Sequence, residues 1–568
     1  MTRRWLLMML LTFALPDVRA DEFALVRVGE TWRFFKGVRQ PPTGVTDWRL
    51  PDFDDRAWEY GPSGFSHGMG LLNDEATYLS DMYGKYVTVY LRKAFTVQEP
   101  AQIKWLVLRI NYNRGFAAYL NGQEVARRGL PGEPGQPLSF DQPATLQLKD
   151  NITEEINISQ FIPRLRPGTN VLAIEGHSSG IEDYEFTINA ELCANVIRGP
   201  LISPLNAELV RVAWRTPAPV IGRVEFGTNA EPGKVVTEQK PTTNHLVLLP
   251  RLLPGTRYYY RIGGSSAGGS FVSGIETFVT FKTNGSLAFT VFGDSGAGTI
   301  EQYRIAKLVR DTAPDLVLHT GDVVYNAFQN DLADLRCLSV YQPHMKSVPY
   351  FFTFGNHDFF EPGTIRYNMA IADRNYLHNL PLPANTVTRT AHFYSFDHGD
   401  AHFVCLFVPS FMHFAKYPLR PGSLQYRWLS DDLAQSRKPW KILFFHIPVR
   451  SSGVHRMNDL DYNDIPDQVE LQRTILPLAR QHGVQLIFNG HEHFYERFNP
   501  VQGVVSIISG GGGAYLYTPR VYSEPASAFA AKVFHCVRVG ITNDTAFIQA
   551  IDINGTIIDS TTVPRRQP

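Results

Sequence analysis

Apolar positions that alternate with polar ones dominate the first half of the chain. Over residues 23–193 they read as short strands separated by turns. Residues 116–126 alternate on both sides of Asn121-Gly122, a dipeptide that supplies the positive φ angles of a two-residue hairpin turn. Residues 170–175 form another strand. The same texture continues over 194–283. There 210–216 alternates with Trp214 on the apolar side, and 253–262 is a turn feeding a strand. The Gly/Ser-rich stretch 263–270 reads as a loop before a last strand near 278–281.

After Asn284-Gly285 the pattern changes. Continuous apolar runs lie at 287–292, 316–319, 350–354, 442–445 and 484–488, and helical spacing occupies 300–309, 423–434 and 468–479. Strands alternating with helices predict a layered α/β unit. The 568 residues are too many for one hydrophobic core. The expected architecture is therefore multidomain. Two N-terminal all-β sandwiches, 21–193 and 194–284, precede an α/β domain, a β-sandwich flanked by helices, over 285–568. No fixed-period repeat and no long low-complexity tract interrupts it.

Composition narrows the functional classes. Lys plus Arg and Asp plus Glu are equal at 54 each, so no global field attracts nucleic acid or anionic lipid, and an anionic substrate needs a local site. Residues 1–20 carry Arg3 and Arg4, an apolar run and Val18-Arg19-Ala20, the pattern of an export signal cleaved after Ala20. No later stretch is apolar enough to span a membrane. A secreted or periplasmic location follows as the expectation. Four cysteines, Cys193, Cys337, Cys405 and Cys536, allow three full disulfide pairings, and Cys405 in its apolar run also fits a buried thiol. None has the spacing of a metal site.

The chemistry concentrates where the apolar runs of the last unit end. Gly293-Asp294-Ser295-Gly296 follows the first, Gly321-Asp322-Val323-Val324-Tyr325 the second, and Gly355-Asn356-His357-Asp358 the third. His446 follows the fourth and Gly490-His491-Glu492-His493 the fifth. Sites in open α/β sheets assemble at the carboxyl ends of strands. Asp, Asn, His and Tyr are oxygen and nitrogen donors for hard or borderline metals. Their number suffices for two ions sharing a bridging carboxylate, an arrangement suited to displacement at phosphorus.

These clusters, in this order, resemble those of the calcineurin-like metallophosphoesterases, and among them the purple acid phosphatases. Two details carry the narrower likeness. Gly293-Asp294-Ser295-Gly296 lacks the His that most other branches place two residues after the Asp, and Tyr325 stands three residues after Asp322. The ending Gly490-His-Glu-His-Phe-Tyr-Glu-Arg497 is similar to that branch's final His pair. The resemblance implies a metallophosphoesterase domain in which Asp294, Tyr325 and His493 bind Fe(III) and Asp322 bridges. Asn356, His446 and His491 would bind a divalent ion, Fe, Zn or Mn. His357 and His455 would face the phosphate or protonate the leaving group, and Asp358 is a candidate to orient a His.

The unit over 194–284 resembles the fibronectin type III-like N-terminal domain of the larger purple acid phosphatases, with Pro254-Gly-Thr-x-Tyr258 as its tyrosine corner. The sandwich before Ala194 resembles galactose-binding-like jelly rolls and is read as an addition to the usual two-domain enzyme, open to carbohydrate contact. The expected activity is hydrolysis of small phosphate monoesters by a metal-bound hydroxide. A phosphodiesterase shares the same core. A surface sugar-binding or adhesion protein with an inactive phosphatase domain is the reading from another class, and the complete ligand set argues against it. Oligomeric state is left open.

Overall fold

A computed structural model describes residues 18–19 and 24–566, apart from 42–45, 69–76, 104, 148–151, 195–196, 267–268, 326–327, 329–332, 360–368, 386, 410–415 and 459–464. The expected export segment lies outside the described residues except for Val18–Arg19, which pair in parallel with Phe271 and Val272.

The first unit is a sandwich of two six-stranded sheets. One contains Thr31–Lys36, Thr88–Val97, Gly115–Leu120, Gln123–Arg128 and Gly168–His177. The other contains Leu106–Tyr112, Ile152–Asn157 and Glu185–Ala194. Alternation places Val89, Leu91, Leu108, Ile110, Leu172 and Ile188 in the core between the layers. The expected hairpin forms: Gln123 pairs with Leu120, and Asn121 and Gly122 both have positive φ, 48° and 89°. A second aromatic cluster, with Trp48, Trp58, Tyr90 and Tyr119, packs on the outer face of the first sheet.

The second unit is built around one long strand, Leu209–Gly227. Its first part pairs with Arg198–Asn206 and Thr242–Leu249, and its second part with Lys234–Thr237 and Arg257–Ser266. The register shifts between Arg215 and Val220, where Pro217 and Pro219 lack the N–H groups a continuous ladder needs. The strand therefore passes from one layer to the other. Trp214 is buried in the core. The Tyr258 hydroxyl accepts from the backbone N–H of Leu253 at 3.0 Å, closing the expected tyrosine corner. The loop reading of 263–270 is corrected: Gly263 to Ser266 extend a strand that pairs with Gly269–Val272. Glycine serves packing there, because a Cβ on Gly264 would lie 2.5 Å from the Phe271 ring and 2.6 Å from Val220.

The last unit has two facing sheets. One runs Tyr350–Phe352, Leu316–His319, Leu287–Phe292, His535–Ile541, Thr545–Asp552 and Ile557–Pro564, the first three parallel. The other places Ala401–Cys405, Trp440–Phe444, Leu486–Asn489 and Val505–Ser509 in parallel, with Tyr394–His398, Tyr495–Phe498 and Ser527–Ala531 antiparallel. Phe289 joins the layers, edge-to-face with Phe403 at 5.2 Å and with Phe488 at 5.8 Å. The expected helices are Ile300–Asp311, Leu424–Gln435 and Asp467–Gln481. Thr299 and Ser423 cap the first two, accepting from Gln302 and Tyr426. All four cysteines are buried and none forms a disulfide, so the sulfurs lie in cores rather than in bridges. Burial pushes the Cys193, Cys405 and Cys536 thiols up to about 12, where they behave as small apolar groups.

Candidate metal centre

The parallel strands of both sheets end at one rim. Asp294, Asp322 and Asn356 follow Leu287–Phe292, Leu316–His319 and Tyr350–Phe352 of one sheet. His446, His491 and His493 follow Trp440–Phe444 and Leu486–Asn489 of the other. The turns there are tight. Asp294, Asp322 and His491 hold left-handed backbone at φ 56°, 52° and 70°, a conformation that costs a non-glycine residue about 1 kcal/mol or more. The loops are also stitched to one another. Asp294 accepts from the backbone N–H of His491 at 2.9 and 3.0 Å, and Asp322 accepts from that of His357 at 2.9 Å. A Cβ on Gly355 would sit 2.1 Å from an Asp322 carboxylate oxygen, so only glycine lets those strands approach.

The seven expected ligands fall into two groups about Asp322. Donor atoms of Asp294, Asp322 and His493 lie within 4.8 Å of one another. The Tyr325 hydroxyl is 3.0 Å from His493 Nε2 and 3.5 Å from Asp294 Oδ1. On the other side, His446 Nε2 is 2.9 Å from Asn356 Oδ1 and 3.5 Å from Asp322 Oδ1, and His491 Nδ1 is 3.1 Å from Asn356 Oδ1.

The histidine tautomers test whether cations fit. His446 Nδ1 lies 2.9 Å from the Thr320 carbonyl, which accepts only, so the proton of a neutral ring is on Nδ1. Nε2 then points a lone pair at the amide oxygen of Asn356 and at Asp322. His493 repeats this, with Nδ1 donating to the Tyr515 carbonyl at 2.7 Å and Nε2 turned to Asp294 and Tyr325. Between His446 and Asn356 the facing lone pairs repel unless a cation lies between them, whereas the Tyr325 hydroxyl can donate to His493 Nε2; ring nitrogens fixed from behind by a carbonyl are the usual arrangement of metal-binding imidazoles. The electrostatics agree. Burial pushes the Asp294 carboxyl well up, the Asp322 carboxylate adding to it against the pull of His446. Burial, then Asp322 and Asp294, hold the Tyr325 phenol far above its usual range. Burial and the rings of His455 and His446 hold His491 well below its usual value. Each shift would be relieved or reversed by positive charge at the donor atoms.

The two expected substrate-facing histidines are drawn to the same place. The His357 ring is 4.4 Å from that of Tyr325. His455 lies in the short helical turn Val454–Met457 with its ring 4.5 Å from that of His491. Among the described residues Asp358 orients no histidine. Its carboxylate accepts from the backbone N–H groups of Val323, Val324 and Gly355, bracing the Asp322 turn. That work falls instead to the carbonyls of Thr320 and Tyr515, which no side-chain pattern marks. Sequence reasoning also passed over Glu492, which holds His455, and Tyr517, whose ring stacks on His493 at 4.2 Å. Glu492 stands between two expected ligands, and that position was its available signal.

Comparison with known proteins defines the class. A family model for calcineurin-like phosphoesterases matches residues 287–495. Acid phosphatase type 7 of Mus musculus is 30% identical over 407 residues, covering 62% of this chain and 87% of the relative. Probable purple acid phosphatase 20 of Arabidopsis thaliana is 27% identical over 345 residues, covering 57% of this chain and 76% of the relative. The solved purple acid phosphatase PPD1 from yellow lupin seeds has the same fold, with a TM-score of 0.59 at 17% identity, covering 88% of this chain and 96% of that one.

Fold and site together define a metal-dependent phosphoric ester hydrolase of the calcineurin-like type. Within that class the chain belongs to the purple acid phosphatase family. The stretch from residue 194 onward is about two-thirds of the chain, so the likeness in fold over 88% of the chain reaches into the first sandwich.

Proposed function

We propose that the protein is an exported phosphatase that hydrolyses small phosphate monoesters at a dinuclear centre of Fe(III) and a divalent Fe, Zn or Mn. In this reading Asp294, Tyr325 and His493 hold the Fe(III), Asp322 bridges, and Asn356, His446 and His491 hold the second ion. Such a pair supplies a nucleophile at neutral pH and neutralises charge on the phosphoryl oxygens. The observation that carries the reading is the approach of His446 Nε2 to Asn356 Oδ1, two acceptors 2.9 Å apart, with the donor atoms of Asp294, Asp322 and His493 gathered within 4.8 Å of one another beside them. Iron is favoured by Tyr325, whose buried phenol needs a strong Lewis acid to ionise near neutral pH.

The protein's own groups do the rest. His455 turns Nδ1 toward Glu492, which makes Nε2 the atom presented to the phosphate or to the leaving alcohol. His357 approaches from the Tyr325 side. Export rests on the sequence of residues 1–20. The fibronectin-like identity of the second unit is supported by its layered strands and the Tyr258 corner.

Elemental analysis of the purified protein, with rates on one monoester and one diester, tests this. Two metals per chain with iron among them, and faster monoester turnover, are expected. Full activity in a colourless zinc-only protein would sink the iron assignment, and preference for the diester would sink the substrate class.

A further inference from the structure

Residues 510–522 run along one side of the metal centre and are stitched to three parts of it. The N–H groups of Gly512 and Ala514 donate to the carbonyls of Gly293 and Asp294, each at 2.9 Å, and that of Tyr517 donates to the His493 carbonyl at 3.0 Å. Further on, the Arg520 N–H donates to Ser452 Oγ and the Tyr522 N–H to the Ser452 carbonyl, each at 2.9 Å. Ser452 belongs to the loop that carries His455. What the segment displays is therefore held against the Asp294 turn, His493 and the His455 loop together.

It displays two aromatic rings. Tyr517 lies face to face with the His493 ring, 4.2 Å away and 10° from parallel, and meets the His455 ring edge-on at 5.1 Å. It thus reaches from an expected metal ligand to an expected substrate-facing histidine. Tyr515 stands across it at 76° and 5.2 Å, with the two hydroxyls 3.2 Å apart. The Tyr515 ring is 5.4 Å from that of His493, yet the residue is 71% exposed. A tyrosine that served packing alone would hide its ring. This one keeps most of its surface in solvent beside the centre. On the His455 side, Arg450 and Arg456 are both engaged by Glu524, at 3.2 and 2.9 Å, while the turn Val454–Met457 exposes Val454 and Met457. These loops weight that side toward aromatic and apolar groups.

The alcohol half of a substrate decides whether such groups are used. In an aryl phosphate, one oxygen separates phosphorus from the ring. With phosphorus at the centre, the ring must lie close to His493 and His455, which is where the tyrosines stand. Offset or edge-on contact between aromatic rings adds to binding beyond the area buried. A methyl ester has nothing to place there.

We propose that Tyr515 and Tyr517 form an aromatic wall that selects, among phosphate monoesters, those whose alcohol carries a flat ring on the ester oxygen, and that Tyr515 is the residue that meets this ring. Its use in turnover rests on the monoesterase reading above; the binding of the ring does not.

Phenylphosphonate and methylphosphonate, which have no ester bond to cleave, separate the two. In calorimetric titration of the metal-loaded protein, wild type should bind phenylphosphonate about fivefold or more tightly than methylphosphonate. Tyr515→Ala should remove most of that preference, and Tyr515→Phe, which keeps the ring, should retain it. In turnover, Tyr515→Ala should lower the ratio of kcat/KM on phenyl phosphate to that on methyl phosphate by a similar factor, through the KM for phenyl phosphate. A general loss at the centre falls on both esters and cancels in the ratio. Equal binding of the two phosphonates by wild type, or a preference that survives Tyr515→Ala, would overturn the wall. A preference lost as expected, in a protein that cleaves neither ester, would support the wall and count against the monoesterase reading instead.

Discussion

Glu492 and His455 are joined twice. The buried carboxylate accepts from the backbone N–H of His455 at 3.0 Å and lies 3.3 Å from its ring Nδ1. Ser451 donates to the same carboxylate at 2.9 Å, and a Cβ on Gly453 would come within 2.4 Å of it, so the loop carrying His455 is moulded around one side chain. Because Glu492 stands between His491 and His493, whatever disturbs those two rings also moves His455.

His455→Ala should lower kcat on a monoester by about 10²-fold with little change in KM, the usual scale for a lost proton donor. Glu492→Gln, which keeps the shape but weakens the grip, should lose about tenfold, and the double variant should be no worse than His455→Ala alone. Steady-state kinetics of the three variants check this; multiplicative losses would break the link between the pair.

Tyr325→Phe should remove the visible absorption of the iron-loaded protein, since the phenol is the one oxygen donor of the set whose ionised form absorbs there by charge transfer. The buried ring should still pack against His357, leaving the fold intact. A spectrum taken at matched iron content decides it, and a band that survives would point to another chromophore.

Gly355→Ala places a methyl group 2.1 Å from an Asp322 oxygen and 2.2 Å from the Asp322 backbone nitrogen. Relief requires moving the Asp322 carboxylate, so metal content and activity should both fall, activity by about 10²-fold or more. Metal analysis and circular dichroism together distinguish a lost site from a lost fold. Retention of both metals would show that the turn yields more than its packing implies.

His402 is buried between Asp397 at 2.7 Å and Asp432 at 2.8 Å. Burial alone would lower its pKa, but the hydrogen bonds to the two carboxylates outweigh it and hold the value at about 9, above the ordinary 6.5 of histidine. A raised folded value means the ring binds its proton more tightly when folded. That contribution, up to about 3 kcal/mol, is fully present below pH 6.5 and is lost as pH rises through 9. Denaturant unfolding of metal-free protein at pH 6 and pH 9.5 should show this loss in wild type. In His402→Gln that part of the pH dependence should vanish.

The residues that gather at the rim were legible because each follows an apolar run and belongs to a side-chain type with few other uses there. Gly355-Asn356-His357-Asp358 advertises chemistry, and Asn121-Gly122 advertises a turn, through local rules alone. What stayed hidden acts through the backbone or through packing. Thr320 and Tyr515 fix the histidines with carbonyls, which every residue owns. Gly263 to Ser266 look like loop because glycine weakens a strand, yet they are strand because Phe271 and Val220 leave no room for a side chain. Asp358 serves backbone amides rather than a ring, and which of those it meets depends on how three distant turns converge.

Three of the expected ligands grow from one sheet of the catalytic unit, three from the facing sheet, and Tyr325 hangs on the turn beside Asp322. Ions seated there would act as rivets between the layers. They would close loops far longer than a local turn, from Asp294 across to His493, in a protein whose four cysteines form no disulfide. The catalytic centre would then also be the covalent-like staple of the fold, and stripping it should loosen the two sheets from each other before either sheet comes apart.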